Sequence, residues 1–124
     1  MPPPEPRSWK RGDVVWVNCE PSVGVEPTKT RTCVIVSNDI ANRYGGAVTV
    51  VPTQRYTAER AGRAYMVDLR SPRSTLTEAR VANASMVATY DRSRIVARAG
   101  RLTSDAMALM NAALALHLDL PARG

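Results

Sequence analysis

The chain has 124 residues, 44% hydrophobic and 23% charged, with a formal net charge of +6. A length of this order suits one domain with one core and leaves no room for a second. No stretch approaches the roughly 18 consecutive apolar residues of a membrane span, and no cationic start leads into an apolar run as a signal peptide requires, so the expected location is cytoplasmic.

The opening MPPPEPRS is proline-rich and cannot continue a ladder of backbone hydrogen bonds. Residues 1–10 are therefore expected to be a flexible lead to a single domain spanning 11–120. Gly12-Asp13 reads as a turn before Val14-Val15-Trp16-Val17, whose β-branched and aromatic residues favour a strand covered on both faces. PSVGVEPTKT is too long for a tight hairpin turn. A second strand is expected over residues 32–37, and NDIANRYGG reads as a turn or single helical turn closed by Gly45-Gly46. A third strand, AVTVV at 47–51, should stop at Pro52.

Residues 53–63 read as a polar loop and 64–69 as a fourth strand. The next twenty residues give a loop, a short strand near 76–80 and an ambiguous segment near 83–89. DRSRIVARAGRL holds a helical turn and a last short strand at 95–98. Thr103-Ser104-Asp105 supplies an N-cap and a first-turn carboxylate for a terminal helix of good helix formers up to Pro121. Its apolar arc, from Met107 and Leu109 to Leu118 and Leu120, is wide enough to bury more than half its girth, one flank on the sheet and the other free for a second subunit. Consecutive strands followed by a helix make an antiparallel α+β plan, mainly β, that commonly curls into a small barrel.

Of the 17 cationic residues only Lys10 and Lys29 are lysines. Arginine grips phosphate in two places and stacks on bases, which suits RNA or DNA; a coding sequence rich in G and C would also write arginine for lysine throughout, and composition leaves both readings open. Cys19 and Cys33 sit in apolar runs and read as reduced core residues. With the single histidine, His117, on the apolar arc of the terminal helix, hydrolysis by histidine or by a metal is disfavoured, and neither a metal site nor a cofactor is expected. No Gly-rich phosphate loop is present.

What remains is a cluster at strand ends. Glu26, Lys29 and Arg31 precede the second strand, and Thr53, Gln54, Arg55 and Tyr56 leave the third. If these strands are neighbours, Arg31 and Thr53 can approach at one rim; a solvated polar rim, with Thr53 as a strand terminator, is the plainer reading of the spacing. Lys29, Gln54, Arg55, Tyr56, Arg43 and Tyr44 are the candidates for holding a nucleic-acid strand, arginine on phosphate and tyrosine stacking on bases, though each tyrosine equally fits a half-buried rim position.

The segments RGDVVWV, PSVGVEPTKTRT, CVIVSNDIANR, VVPTQ and DRSRIVARAGRL, in this order, resemble the MazF/PemK/Kid family of bacterial toxins over nearly the whole chain. Gly12-Asp13, Gly24-x-Glu26 and Arg31 fit the family's motifs, while Thr32 stands where the family usually has proline and Ser85-Met86 where members often carry an acidic-Gln pair. The resemblance implies a small SH3-like antiparallel β-barrel with a long C-terminal helix, a homodimer, and a metal-independent endoribonuclease that cuts single-stranded RNA at a short sequence. It assigns catalytic roles to Arg31 and Thr53, with Glu26 a less uniform participant.

RNA carries a 2′-OH that can attack its own phosphate, so such a site need only orient the nucleotide and stabilise charge. Arg31 then reads as the main stabiliser, Thr53 as orienter and Glu26 as candidate base, leaving 2′,3′-cyclic phosphate and 5′-OH ends. The implied partner is a MazE-like antitoxin whose acidic segment folds over the basic groove. The alternative is a non-cutting protein of the same fold, either a CcdB-like gyrase poison or a nucleic-acid-binding adaptor.

Overall fold

The computed structural model describes residues 9–19 and 30–121. Its elements run β1 (Asp13–Asn18), β2 (Thr30–Ile35), α1 (Asp39–Tyr44), β3 (Ala47–Arg55), α2 (Ala58–Ala61), β4 (Met66–Asp68), β5 (Arg80–Asn83), β6 (Ala88–Asp91), β7 (Ile95–Arg101) and α3 (Ser104–Leu118), with 3₁₀ turns at Ala84–Met86 and Arg92–Arg94. Local chemistry sets most of the boundaries. Gly12, at φ 96°, makes the turn into β1 in a conformation that a side chain rarely adopts. The Asn38, Thr57 and Thr103 side chains cap the three helices by accepting from the backbone N–H groups of Ala41, Arg60 and Ala106.

All strand pairs are antiparallel, in the order β4-β5-β3-β2-β1-β7, with β6 pairing the first half of β3. The mainly β plan with a C-terminal helix is the expected one. The path is open, however: the isolated bridge between Ser74 and Leu102 links the segment after β4 to the end of β7, and no ladder joins β4 to β7.

Alternation along β1 to β3 feeds two cores. Val14, Val34 and Val51 face one side, where Ala106, Met110 and Ala113 of α3 cover them. Val15, Val17, Cys33, Ile35, Val48 and Val50 face the other, with Trp9. Burial on both faces is why these strands read as unbroken apolar runs. Trp9, expected in the flexible lead, is part of this second core; residues 1–8 lie outside the described part.

Several boundaries differ from the sequence reading. The second strand begins at Thr30 and ends at Ile35, so Arg31 is a paired strand residue opposite Val17. The third runs through Pro52 to Arg55. One edge of β3 is paired by β6 as far as Val50 and by β5 from Thr53, so Pro52 falls in a gap where no ladder N–H is required. The short strand expected near 76–80 is β5, a few residues later. Helix α3 buries a narrow stripe of Ala106, Met110 and Ala113, not half its girth, and leaves Leu109, Leu116 and Leu118 exposed, as is Leu120 just beyond its end. Among the described residues no helix is long and apolar enough to cross a membrane.

Candidate active site

β2 and β3 are neighbours, as a shared rim for Arg31 and Thr53 requires. Their ladder pairs Ile35 with Val50, Val34 with Val51 and Cys33 with Pro52, and stops there. Beyond Pro52, β3 leaves β2 and pairs with β5, Thr53 opposite Ala82. Thr32 and Thr53 stand just past the point where the two strands part.

Both threonines are buried, and their hydroxyl oxygens lie 2.6 Å apart. Arg80, on β5, closes the group: its Nε donates to Thr53 Oγ1 at 3.0 Å and one Nη donates to the Thr53 carbonyl at 3.0 Å. The Thr53 hydroxyl oxygen thus accepts from a charged donor while sharing a proton with Thr32. An arginine bonded in two places to one residue fixes that residue's geometry as well as its charge environment. The hydroxyl of Thr32 makes a contact that a proline at this place would have no atom for.

Arg31 is exposed, and alternation puts it with Cys33 and Ile35 on the face away from α3. There its charge is felt by Cys33 and Tyr90. Burial pushes the Cys33 thiol up to about 12, the nearby Cys19 adds to that and Arg31 opposes it. Burial, together with a hydrogen bond to Cys19, also raises the Tyr90 phenol, again against Arg31. In the single chain Arg31 and Thr53 therefore flank the parting of β2 and β3 from opposite faces of the sheet.

Of the remaining candidates, Gln54 follows Thr53 and accepts from Asn83 Nδ2 at 3.2 Å. Arg55 is exposed, and its carbonyl accepts from Arg60. The ring of Tyr56 is half-buried and already carries the Arg70 guanidinium 3.8 Å from its centroid, so one stacking face is taken. Asp68 in turn holds Arg70, with the bond between them lowering the pKa of the carboxyl. Arg43 and Tyr44 are exposed on α1, which joins the opposite ends of β2 and β3, so the chain does not bring them to the Arg31–Thr53 rim. Glu26 and Lys29 lie outside the described residues.

Sequence alone does not single out Arg80, because it opens a strand of four residues in a stretch whose pattern fits no period. Its relation to Thr53 comes from strand pairing 27 residues apart in the chain. Among the described residues no group of three His, Cys, Asp or Glu side chains gathers at metal-binding spacing.

Residues 10–118 match the family model of the PemK-like, MazF-like toxin of type II toxin–antitoxin systems. The chain belongs to this family. Endoribonuclease MazF9 of Mycobacterium tuberculosis is 33% identical over 116 residues, covering 90% of this chain and 97% of the relative. Among solved structures, an endoribonuclease in complex with its cognate antitoxin from a mycobacterial species superposes with a TM-score of 0.72 at 22% identity, covering 94% of this chain and 99% of that one. A MazE–MazF complex from Deinococcus radiodurans gives 0.75 at 22% identity, covering 92% and 98%. At that identity the structural matches speak for the fold, which is the family's.

Proposed function

We propose that the chain is the toxin of a type II toxin–antitoxin pair and acts by cutting single-stranded RNA at a short sequence. As a PemK/MazF-like toxin with a MazF endoribonuclease as a relative over nearly its full length, it is an endoribonuclease. The finer reading is a metal-independent transesterification. The 2′-oxygen attacks the adjacent phosphorus, its proton passes to a base, the bond to the 5′-oxygen breaks, and that oxygen is protonated as it leaves. The ends are a 2′,3′-cyclic phosphate and a 5′-OH.

In this reading Arg31 stabilises the charge that builds on the phosphorane, since its guanidinium is already charged before the reaction begins. Thr53 orients the nucleotide, with its hydroxyl fixed by Thr32 and Arg80. Glu26 is the candidate base and Arg31 the candidate donor to the leaving oxygen. The observation that carries the reading is the position of Arg31 and Thr53 on either side of the point where β2 and β3 separate. Both are strand residues, and a rigid strand keeps a donor in place before the charge develops.

The family and the antitoxin complexes of its structural neighbours support a MazE-like antitoxin as partner, and the net charge of +6 suits an acidic segment of it. The exposed leucines of α3 supply an apolar face for a homodimer. The deciding experiment incubates the purified chain with a long unstructured RNA in EDTA and maps the ends. Discrete cuts with cyclic-phosphate ends are expected. Binding without cuts would replace this reading with the adaptor, and topoisomerase inhibition without either would replace it with the gyrase poison.

A further inference from the structure

β1 is paired on both sides, and its residues Val14, Val15 and Val17 are fully buried, yet Trp16 between them is 40% exposed. A large aromatic left open on a central strand has a face available for a ligand. It borders a cavity of about 270 Å³, whose lining brings together Trp16 and Thr32 from the sheet, Thr75 and Glu78 from the segment before β5, and the arginines Arg80 and Arg98. The cavity therefore adjoins the Thr32–Thr53 pair.

Its polar groups have capacity to spare. Glu78 makes no hydrogen bond or ion pair among the described residues, although Arg80 and Arg98 line the same cavity. Arg80 commits two N–H groups to Thr53, and the other three of a guanidinium's five have no partner among the described residues. An open indole face, an unpaired acceptor-only carboxylate and a donor-only guanidinium together define a flat ligand with donors on one part of its edge and an acceptor on another.

We propose that this cavity takes one unpaired guanine of the RNA, Trp16 stacking on its face, Glu78 accepting its N1–H and its 2-amino hydrogen, and Arg80 donating to O6. The inference rests on RNA as the substrate. Guanine alone among the four bases sets two adjacent donors beside an acceptor. Adenine and cytosine place one amino group next to a ring acceptor that the carboxylate repels, and uracil sets its single N–H between two carbonyls. Because the guanidinium that reads O6 also holds the Thr53 hydroxyl, a correctly seated base would order the group assigned to orient the scissile nucleotide.

The test has two arms. Trp9 is buried, so quenching of indole fluorescence by a ligand reports Trp16. Titration with the four 3′-nucleoside monophosphates should give binding of 3′-GMP about tenfold tighter than of the other three, and Glu78→Gln should remove that preference, since a bidentate base contact discriminates by about that factor or more. Equal quenching by all four, or none with 3′-GMP, overturns the proposal. In the second arm a randomised RNA is cut and the ends sequenced, with one guanine expected at a fixed distance from the cut and relaxed in Glu78→Gln. If 3′-GMP binds as described and nothing is cut, the endoribonuclease reading fails and the cavity assignment stands. If RNA is cut and Glu78→Gln keeps the same base preference, the cavity assignment fails and the activity stands.

Discussion

The hydroxyls of Thr32 and Thr53 meet at 2.6 Å in the interior, one on each of two strands that separate just beyond them. Thr53→Val removes the hydroxyl that bonds both Thr32 and Arg80 Nε, and should cost about 2 kcal/mol of stability and about a hundredfold in cleavage rate. Thr32→Val removes one neutral hydrogen bond and leaves Arg80 in place, at about 1 kcal/mol. Urea unfolding and single-turnover cleavage measure the two effects separately. Equal rates for Thr53→Val and the unsubstituted chain would remove Thr53 from the mechanism.

Arg31 is exposed, so its truncation leaves both cores intact. Arg31→Ala should reduce cleavage by about 10²- to 10³-fold, the usual loss of one preorganised donor, while its unfolding free energy stays within about 0.5 kcal/mol. A folded variant that cuts at full rate would dismiss Arg31 as the stabiliser. Glu26→Gln should flatten the acidic limb of the pH–rate profile; an unchanged profile takes Glu26 out of consideration as the base.

Binding of RNA to an arginine-rich surface should weaken steeply with salt, with a log–log slope of about −0.7 for each phosphate neutralised on a single strand. Arg55→Ala should make the slope shallower by about one such step, whereas Arg43→Ala, on the far end of β2 and β3, should leave it unchanged within one chain's site. Filter binding between low and physiological salt measures both. A flat response in the unsubstituted chain would contradict electrostatic binding.

Asp13 is fully buried, accepts from the Lys10 backbone N–H at 2.9 Å and pairs with Arg98 at 2.9 Å, and its second oxygen has no partner among the described residues. Arg98→Ala leaves a buried carboxylate with one N–H donor and should cost about 3 kcal/mol. Asp13→Asn keeps the shape and removes the charge, so the double substitution should be less harmful than the sum of the single ones. Thermal or urea unfolding of the four proteins gives the cycle, and strict additivity would mean that the pair has no coupling.

The Cys33 thiol is held neutral by burial, with its pKa pushed up to about 12 from an ordinary value of 9.0. A folded-state pKa above the unfolded one contributes stability that is fully present below about pH 9 and lost as the pH rises toward about 12. Cys33→Ser or Cys33→Val should therefore flatten the alkaline side of the stability curve. At neutral pH a thiol reagent should modify the half-buried Cys19 while Cys33 stays protected until the chain unfolds. Equal labelling rates in the native protein would show that the second core is open to solvent.

The strands that cover both faces, β1 to β3, and the capped helix α3 were legible because their signals are local: continuous β-branched runs, Gly12 at the turn, Thr103 at the cap. The extension of β3 through Pro52 was not, because a proline is tolerated there only where the neighbouring strand changes from β6 to β5. That joint exists only in the assembled sheet. Nor could the pattern of α3 tell how much of its apolar arc the sheet would cover, which depends on how many strands reach it.

The residue types and their order, from Gly12-Asp13 through Arg31 to Thr53, fixed the family and named the two residues most exposed to a functional test. Tertiary structure alone decided what surrounds them. Strand alternation sends Arg31 and Thr53 to opposite faces, and pairing across 27 residues delivers Arg80 to the Thr53 hydroxyl. A sequence records chemistry and local period, whereas the partner of a buried hydroxyl depends on which strand becomes its neighbour. At Thr32 the two meet: the sequence places a hydroxyl there, and only the fold reveals that it reaches Thr53.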